Sequence, residues 1–135
     1  MNINFGCDYY PEHWDKNRRE IDAQLMEDMG INVVRMVEFS WSKIEPERGI
    51  FKFKWLDEII NILSKHDIYV VLGTPSATPP AWIIDEITDL LPIDSQGKVR
   101  GFGGRHHNCQ SNEIYRTYIR RIVTKMAEHY KDNPN

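Results

Sequence analysis

The chain has 135 residues, a formal net charge of −3 at pH 7 and a hydrophobic content of 41%, as expected for an ordinary globular protein. It has no basic block, which argues against a nucleic-acid partner, and its apolar runs are too short to cross a bilayer. Because Cys7 and Cys109 are far apart in sequence and the N-terminus does not resemble a signal peptide, we expect a reduced, cytoplasmic protein.

Three strands are predicted, and each is followed by a helix. The strands are expected over residues 3–9, 31–36 and 68–73. The second of them is an almost unbroken apolar run, which predicts a strand covered on both faces. Alternation of strands and helices requires a parallel sheet with right-handed crossovers. The predicted fold class is therefore α/β.

The helices are predicted from apolar residues at helical spacing. The first is expected over residues 15–29, with Asp15 as its N-cap and Gly30 as its stop. Its expected buried face is Ile21, Leu25 and Met29. The second helix is expected over residues 55–65, with an inward face of Leu56, Ile59, Ile60 and Leu63. The last begins near Ser111, and its apolar face is expected to be Tyr115, Tyr118, Ile119, Ile122, Val123, Met126 and Tyr130.

Most of the unusual side chains follow the ends of strands, where α/β folds bind their ligands. The stretch GCDYYPEHW places these residues after the first strand: Asp8, Tyr9, Tyr10, Glu12, His13 and Trp14. After the second strand come Glu38, Phe39 and Trp41. Carboxylates and flat aromatic faces suit a sugar. The alternatives are a solvated Glu12, a Trp14 that packs on the first helix, and core packing for Phe39 and Trp41.

A long connection is predicted over residues 74–110. Its prolines at 75, 79, 80 and 92 make it stiff. Connections of this length are usually functional. Apolar residues around Trp82 anchor it either as a wall facing the substrate or as a surface loop with its own small cluster.

The stretch GGRHHNC, residues 103–109, combines a donor fork on Arg105 with candidate metal ligands on Cys109 and on either of His106 and His107. A structural zinc site needs about four ligands, and there is no paired cysteine motif near Cys109. The overlapping stretch GFGG, residues 101–104, lacks the lysine of a phosphate loop. Spacing alone selects no acid/base pair among Asp8, Glu12 and Glu38. The residues by themselves predict a site for a sugar-like or other polar ligand, with the reaction undetermined.

Four stretches, taken in order, resemble a known family: GCDYYPEHW, NVVRMVEFSWSKIEPERGIFKFKWLD, TPSATPPAW and GRHHNCQSNEIYR. They are similar to the opening of glycoside hydrolase family 42 β-galactosidases. The resemblance implies a (β/α)8 TIM barrel and hydrolysis of terminal β-linked galactose with retention of configuration. It implies that residues 1–135 are the N-terminal portion of the catalytic domain, a partial barrel with the first three βα units, truncated before the fourth strand.

The resemblance also implies roles for two residues. Arg105 is expected to contact galactose in the first subsite, and Cys109 to be the first of several cysteines that bind a structural zinc, the others following the fourth strand. Where the family commonly has Arg-Arg-His-Tyr-Cys, this chain has Arg-His-His-Asn-Cys over residues 105–109. The arginine and cysteine positions match, while the second arginine and the tyrosine do not.

No residue of this chain matches the family's catalytic carboxyls, which are expected after the fourth and seventh strands. We therefore expect an inactive N-terminal piece of a galactoside-hydrolysing enzyme whose complete form is a trimer. The alternative is a non-catalytic carbohydrate-binding or interaction module. It is disfavoured because three parallel strands alone leave two sheet edges unpaired.

Overall fold

The computed structural model describes residues 3–104 and 107–135. They form two compact units. Of the described residues, the first unit comprises 3–37, 53–73 and 134–135, and the second comprises 38–52, 74–104 and 107–133. In chain order the elements are β1 (Gly6–Asp8), α1 (Arg19–Asp28), β2 (Val33–Met36), α2 (Trp41–Ile44), α3 (Lys54–Lys65), β3 (Tyr69–Leu72), α4 (Ala81–Glu86) and α5 (Glu113–Tyr130).

The first unit contains the sheet, and its strands confirm the predicted parallel topology. The order is β1-β2-β3, with Cys7 opposite Val34 and Val34 opposite Val70. The strands are shorter than predicted, although single hydrogen bonds such as Tyr9 N–H to the Arg35 carbonyl continue the pairing beyond them. Both crossovers carry a helix, α1 between the first two strands and α3 between the last two.

Only one face of the sheet is covered by the described residues. Val34 and Met36 of β2 are buried, whereas Arg35 between them is exposed. On β3, Val71 is opposite Arg35 and is 51% exposed. The prediction that β2 is covered on both faces is therefore wrong for this part of the chain. Its apolar run reflects β propensity as well as burial.

Helix α1 buries a different face from the one predicted. Ile21, Leu25 and Met29 are 58%, 51% and 67% exposed, and the buried residues are Arg19, Ala23 and Met26. Helical spacing fixes which residues share a face but not which face meets the core. Here the small Ala23 lies at the contact, and the Arg19 guanidinium lies 3.6 Å from the Glu58 carboxylate of α3.

The start of the first helix also differs. Asp15 does act as a cap, accepting a hydrogen bond from the Asn17 N–H at 2.9 Å. It caps a short 3-10 turn, Lys16–Arg18, that precedes α1. The predicted stop at Gly30 is confirmed, since this residue has φ +76° and follows the last turn.

The other two helices confirm their predicted faces. The inward residues of α3 are all buried: Leu56, Ile59, Ile60 and Leu63. Helix α5 begins two residues later than predicted because Asn112 is its N-cap, accepting from the Tyr115 N–H at 2.9 Å. Tyr115, Ile122 and Met126 form its buried stripe.

The second unit packs α2, α4 and α5 around one apolar cluster. Trp41 of α2 is fully buried and stacks on Tyr115 of α5 at a ring distance of 6.0 Å. Ile83 and Leu90, both fully buried, come from the long connection after β3. That connection thus has the apolar anchor predicted for it. In the parts of the chain that the structure describes, no helix is long and apolar enough to cross a membrane.

Gly6 is required where β1 approaches β2. A Cβ built on Gly6 would clash with the Val33 carbonyl oxygen and lie 2.7 Å from the Val33 Cγ1. In an open strand, replacing Gly by Ala stabilises by about 0.5–1 kcal/mol. We expect the opposite sign here: Gly6→Ala should lower the free energy of unfolding by about 1–3 kcal/mol, measured by urea denaturation.

The matched control is Gly101→Ala. Gly101 has nothing within 4 Å of a Cβ built on it and does not have a positive φ. Its replacement should therefore change the free energy of unfolding by less than about 0.5 kcal/mol. Equal stability of Gly6→Ala and Gly101→Ala would show that β1 does not approach β2 as closely as described.

Candidate functional site

The residues after β1 are divided between structural and exposed positions. Tyr9 is 9% exposed, and its hydroxyl donates to an Asp22 carboxylate oxygen of α1 at 3.3 Å. Burial, reinforced by the negative charge of Asp22, raises the pKa of Tyr9 well above its usual range. Tyr9 is therefore part of the packing of the first unit rather than a ligand contact.

The neighbouring aromatic residues lie nearer the surface. Tyr10 stacks on His13 with ring centroids 5.7 Å apart. Trp14 is 54% exposed, and the Arg18 guanidinium lies 4.7 Å from its ring centroid. Trp14 thus contacts the turn before α1 and is not buried against the helix. Asp8, at the end of β1, is also exposed.

The chain leaves β2 through a constrained backbone. Val37 is fully buried with φ +90°, a conformation that a β-branched residue rarely adopts. Strain of this kind costs about 1–3 kcal/mol and is concentrated at functional sites. The next residue, Glu38, is 7% exposed. Of the aromatic residues that follow, Phe39 is partly exposed, whereas the fully buried Trp41 confirms the core-packing alternative.

Glu45 is the buried charge around which the second unit is arranged. Its side chain is fully buried and accepts hydrogen bonds from Trp41 Nε1 at 3.0 Å and the Gly49 N–H at 2.8 Å. It also forms an ion pair with Arg121 of α5. Its backbone carbonyl accepts from Trp82 Nε1 at 3.1 Å. One residue thereby joins α2, α4 and α5.

Arg121 is held by aromatic rings as well as by charge. Its guanidinium carbon lies 4.8 Å from the Tyr118 ring centroid and 5.6 Å from that of Trp82. Trp82 and Tyr118 contact each other edge to face at 5.6 Å. Stacking of this kind restricts the orientation of the guanidinium. The network fixes α4 against α5.

A pocket of about 540 Å³ lies in the second unit. It is lined by Phe39, Ser42, Thr78, Pro79, Pro80, Ala81, Phe102, Gly103 and His107. The segments after β2 and after β3 are tied together at this pocket, because the Thr78 hydroxyl donates to the Phe39 carbonyl at 3.2 Å. Aromatic and proline surfaces with a few hydroxyls suit the C–H face and hydroxyl groups of a sugar.

One side of this pocket is built by the GFGGRHHNC stretch. His107 is 3% exposed, its Nδ1 forms a hydrogen bond with the Gly104 carbonyl, and Phe102 contacts its ring edge to face at 4.9 Å. Arg105, predicted to contact galactose, lies outside the described residues. The structure therefore brings together Phe39 and the GFGG segment in one pocket.

Cys109 is a free, partly exposed cysteine whose N–H donates to the Leu90 carbonyl at 2.7 Å. Across residues 3–104 and 107–135, no three His, Cys, Asp or Glu side chains are grouped closely enough to hold a metal ion. The described donor set does not by itself fit the four-ligand zinc site that the resemblance implies.

Comparison with known proteins identifies the family. A family model described as β-galactosidase, glycoside hydrolase 42, matches residues 8–135. The chain belongs to glycoside hydrolase family 42. It is 50% identical to a β-galactosidase of Thermus thermophilus over 125 residues, which is 93% of this chain and 19% of that protein. It is 44% identical to β-galactosidase BgaA of Clostridium cellulovorans over 131 residues, 97% of this chain and 20% of that one.

Solved structures of the family confirm the fold. The β-galactosidase of the psychrophilic Marinomonas ef1 superposes with a TM-score of 0.92 at 48% identity, over 98% of this chain and 20% of that one. The chain is thus a partial (β/α)8 barrel with three parallel strands. It spans about a fifth of the length of the family members it matches.

Sequence reasoning missed Glu45. It begins the stretch EPERGIF, which contains Gly49 at φ +80°. A usable signal was the spacing of Trp41 and Glu45, because residues four apart in a helix are neighbours and an indole N–H needs an acceptor when buried. The ion pair with Arg121 spans 76 positions and has no local signal.

Removing the Glu45 carboxylate should destabilise the protein strongly. Glu45→Ala leaves the Trp41 indole and the Gly49 N–H without an acceptor and Arg121 without its counter-charge. We expect the free energy of unfolding to fall by about 3 kcal/mol in urea denaturation. Glu45→Gln, which keeps an acceptor oxygen, should cost less.

Glu47→Ala is the matched control, because Glu47 lies two residues away and is exposed. It should change the free energy of unfolding by less than about 0.5 kcal/mol. If Glu45→Ala were no more harmful than Glu47→Ala, the buried carboxylate would not organise the second unit.

Proposed function

We propose that this chain supplies part of the sugar-binding surface of a retaining β-galactosidase that hydrolyses terminal, non-reducing β-D-galactose residues. Membership of the family supports this, and so do the β-galactosidases that the chain resembles. The observation that carries the proposal is the pocket of the second unit, whose described walls come from the segments after β2 and after β3. Phe39 and Phe102 provide apolar faces for a sugar ring.

The proposed role of the chain is binding rather than bond cleavage. Retaining hydrolysis uses two carboxyl groups about 5–5.5 Å apart, one as acid/base and one as nucleophile. Glu45, a fully buried acid in the second unit, already accepts hydrogen bonds from Trp41 and Gly49 and pairs with Arg121. That carboxylate is occupied by structural contacts within the second unit. The proposal assigns both catalytic carboxyls to the part of the enzyme that this chain does not span.

Three further features belong to the same proposal. The complete enzyme is a homo-oligomer, a trimer by family resemblance. It is cytoplasmic, which agrees with the free thiols of Cys7 and Cys109. Cys109 supplies one ligand to a structural zinc whose other ligands lie outside the residues described here.

A chimera tests the proposal. The residues of the Thermus thermophilus β-galactosidase that match this chain are replaced by those of this chain, which is feasible at 50% identity over 125 residues. We expect the chimera to hydrolyse nitrophenyl β-galactoside. A folded chimera without hydrolysis would contradict the proposal, and one that only bound galactose would support the carbohydrate-binding alternative.

Arg105→Ala in the chimera should lower kcat/KM by about 10- to 100-fold, because a hydroxyl of galactose would lose a charged partner. Arg100→Ala is the matched control, since Arg100 is an exposed arginine in the same connection. If Arg105→Ala behaved like Arg100→Ala, Arg105 would support the loop and not the substrate.

Cys109→Ser in the chimera should lower the zinc content measured by mass spectrometry and lower the melting temperature, with turnover little changed, because structural zinc contributes to folding. Cys7→Ser is the matched control, since Cys7 is the other free cysteine. A chimera that purifies without zinc would leave Cys109 as a small, partly buried side chain with no metal role.

A further inference from the structure

We propose that Nε2 of His107 accepts a hydrogen bond from a hydroxyl group of a neutral saccharide bound in the pocket of the second unit. The inference rests on the proposed function, because it takes the ligand of this pocket to be a sugar. It assigns to His107 a binding role that the predicted site residues, Arg105 and Cys109, do not cover.

The tautomer of His107 follows from its partner. Nδ1 forms a hydrogen bond with the Gly104 carbonyl oxygen, which can only accept. Nδ1 must therefore carry the hydrogen. In the neutral ring this leaves a lone pair on Nε2, so that Nε2 is an acceptor.

This acceptor has no partner in the part of the chain that the structure describes. Nε2 is buried and forms no hydrogen bond with those residues. His107 is 3% exposed, and it lines the pocket. Most buried side-chain polar atoms have a partner. An unpartnered acceptor at the wall of a pocket is therefore available to a hydroxyl donor of a ligand.

The other walls restrict the chemistry of the ligand. The described lining contains no Lys, Arg, Asp or Glu. Two phenylalanines and two prolines offer apolar surface, while the hydroxyls of Ser42 and Thr78 offer polar contacts. A neutral ring with an apolar face and several hydroxyls fits this combination.

Phe102 is the exposed neighbour of His107 at the pocket. Its ring contacts the His107 ring edge to face at 4.9 Å, and Phe102 is 55% exposed. A side chain exposed to this extent can change rotamer at little cost in packing. Displacement of the Phe102 ring by a sugar would leave the phenylalanine as an apolar wall beside the ligand.

The test uses nitrogen NMR of the 135-residue chain with ¹⁵N-labelled histidine, and methyl β-galactoside as the probe. Without probe, we expect a protonated Nδ1 and an unprotonated Nε2 for His107, assigned by loss of the signals in His107→Gln. Added probe should move the Nε2 signal upfield, as expected when this nitrogen accepts a hydrogen bond, and leave Nδ1 unchanged. An Nε2 signal that does not move at saturating probe, or a hydrogen found on Nε2 instead of Nδ1, would overturn the inference.

Variants of the chimera provide a second readout. His107→Leu should raise KM by about tenfold with little change in kcat, since one ligand hydrogen bond is lost. His107→Gln, which can place an acceptor oxygen near the position of Nε2, should restore much of the loss. The control is Asn108→Leu, because Asn108 is also buried at 4% exposure but does not line the pocket. Equal KM values for the Leu and Gln variants of His107 would contradict an acceptor role.

The two proposals fail in different ways. An inactive, folded chimera combined with a shifted Nε2 signal would contradict the hydrolase assignment and support the sugar contact. An active chimera combined with an Nε2 signal that the probe does not shift would keep the hydrolase assignment and overturn the role of His107.

Discussion

The second unit depends on one buried carboxylate. A buried carboxylate needs hydrogen-bond donors in place of water, and Trp41, Gly49 and Arg121 provide them for Glu45. These partners lie on three different segments of the chain, so satisfying the charge also fixes the segments relative to one another. Trp82 adds a fourth contact through the Glu45 carbonyl. The pocket wall formed by residues 78–81 immediately precedes Trp82 and is held in place by this network.

The contrast between Glu45 and His107 distinguishes scaffold from site within one unit. Glu45 is surrounded by donors, and its position is determined entirely by the protein. His107 is equally well buried, yet only one of its ring nitrogens has a partner among the described residues. The hydrogen bond with the Gly104 carbonyl orients the His107 ring, while Nε2 has no partner among the described residues. A preorganised but unsatisfied group is what a binding site requires.

The helix faces and the strand order were predictable from sequence where the spacing and order of residues along the chain determine them. The apolar faces of α3 and α5 followed from helical spacing, and the parallel order followed from alternation of strands and helices. Long-range packing decided the rest. The predicted buried face of α1 was wrong because Ile21, Leu25 and Met29 have the same helical spacing as the residues that are buried. The pocket was found only in part: Phe39 and the stretch around residues 101–109 were singled out, but no spacing rule joins them across more than 60 positions.

Under the proposed function, binding and cleavage are carried by different parts of the polypeptide. The contacts of Glu45 fit this division, because its fully buried carboxylate is already occupied by two N–H donors and an arginine. The same contacts that make Glu45 a good scaffold therefore leave it unavailable to a substrate. A pocket with apolar rings, hydroxyls and a single imidazole acceptor can orient a neutral sugar, and orientation alone accounts for a large share of catalysis when the reacting groups are supplied by another part of the enzyme.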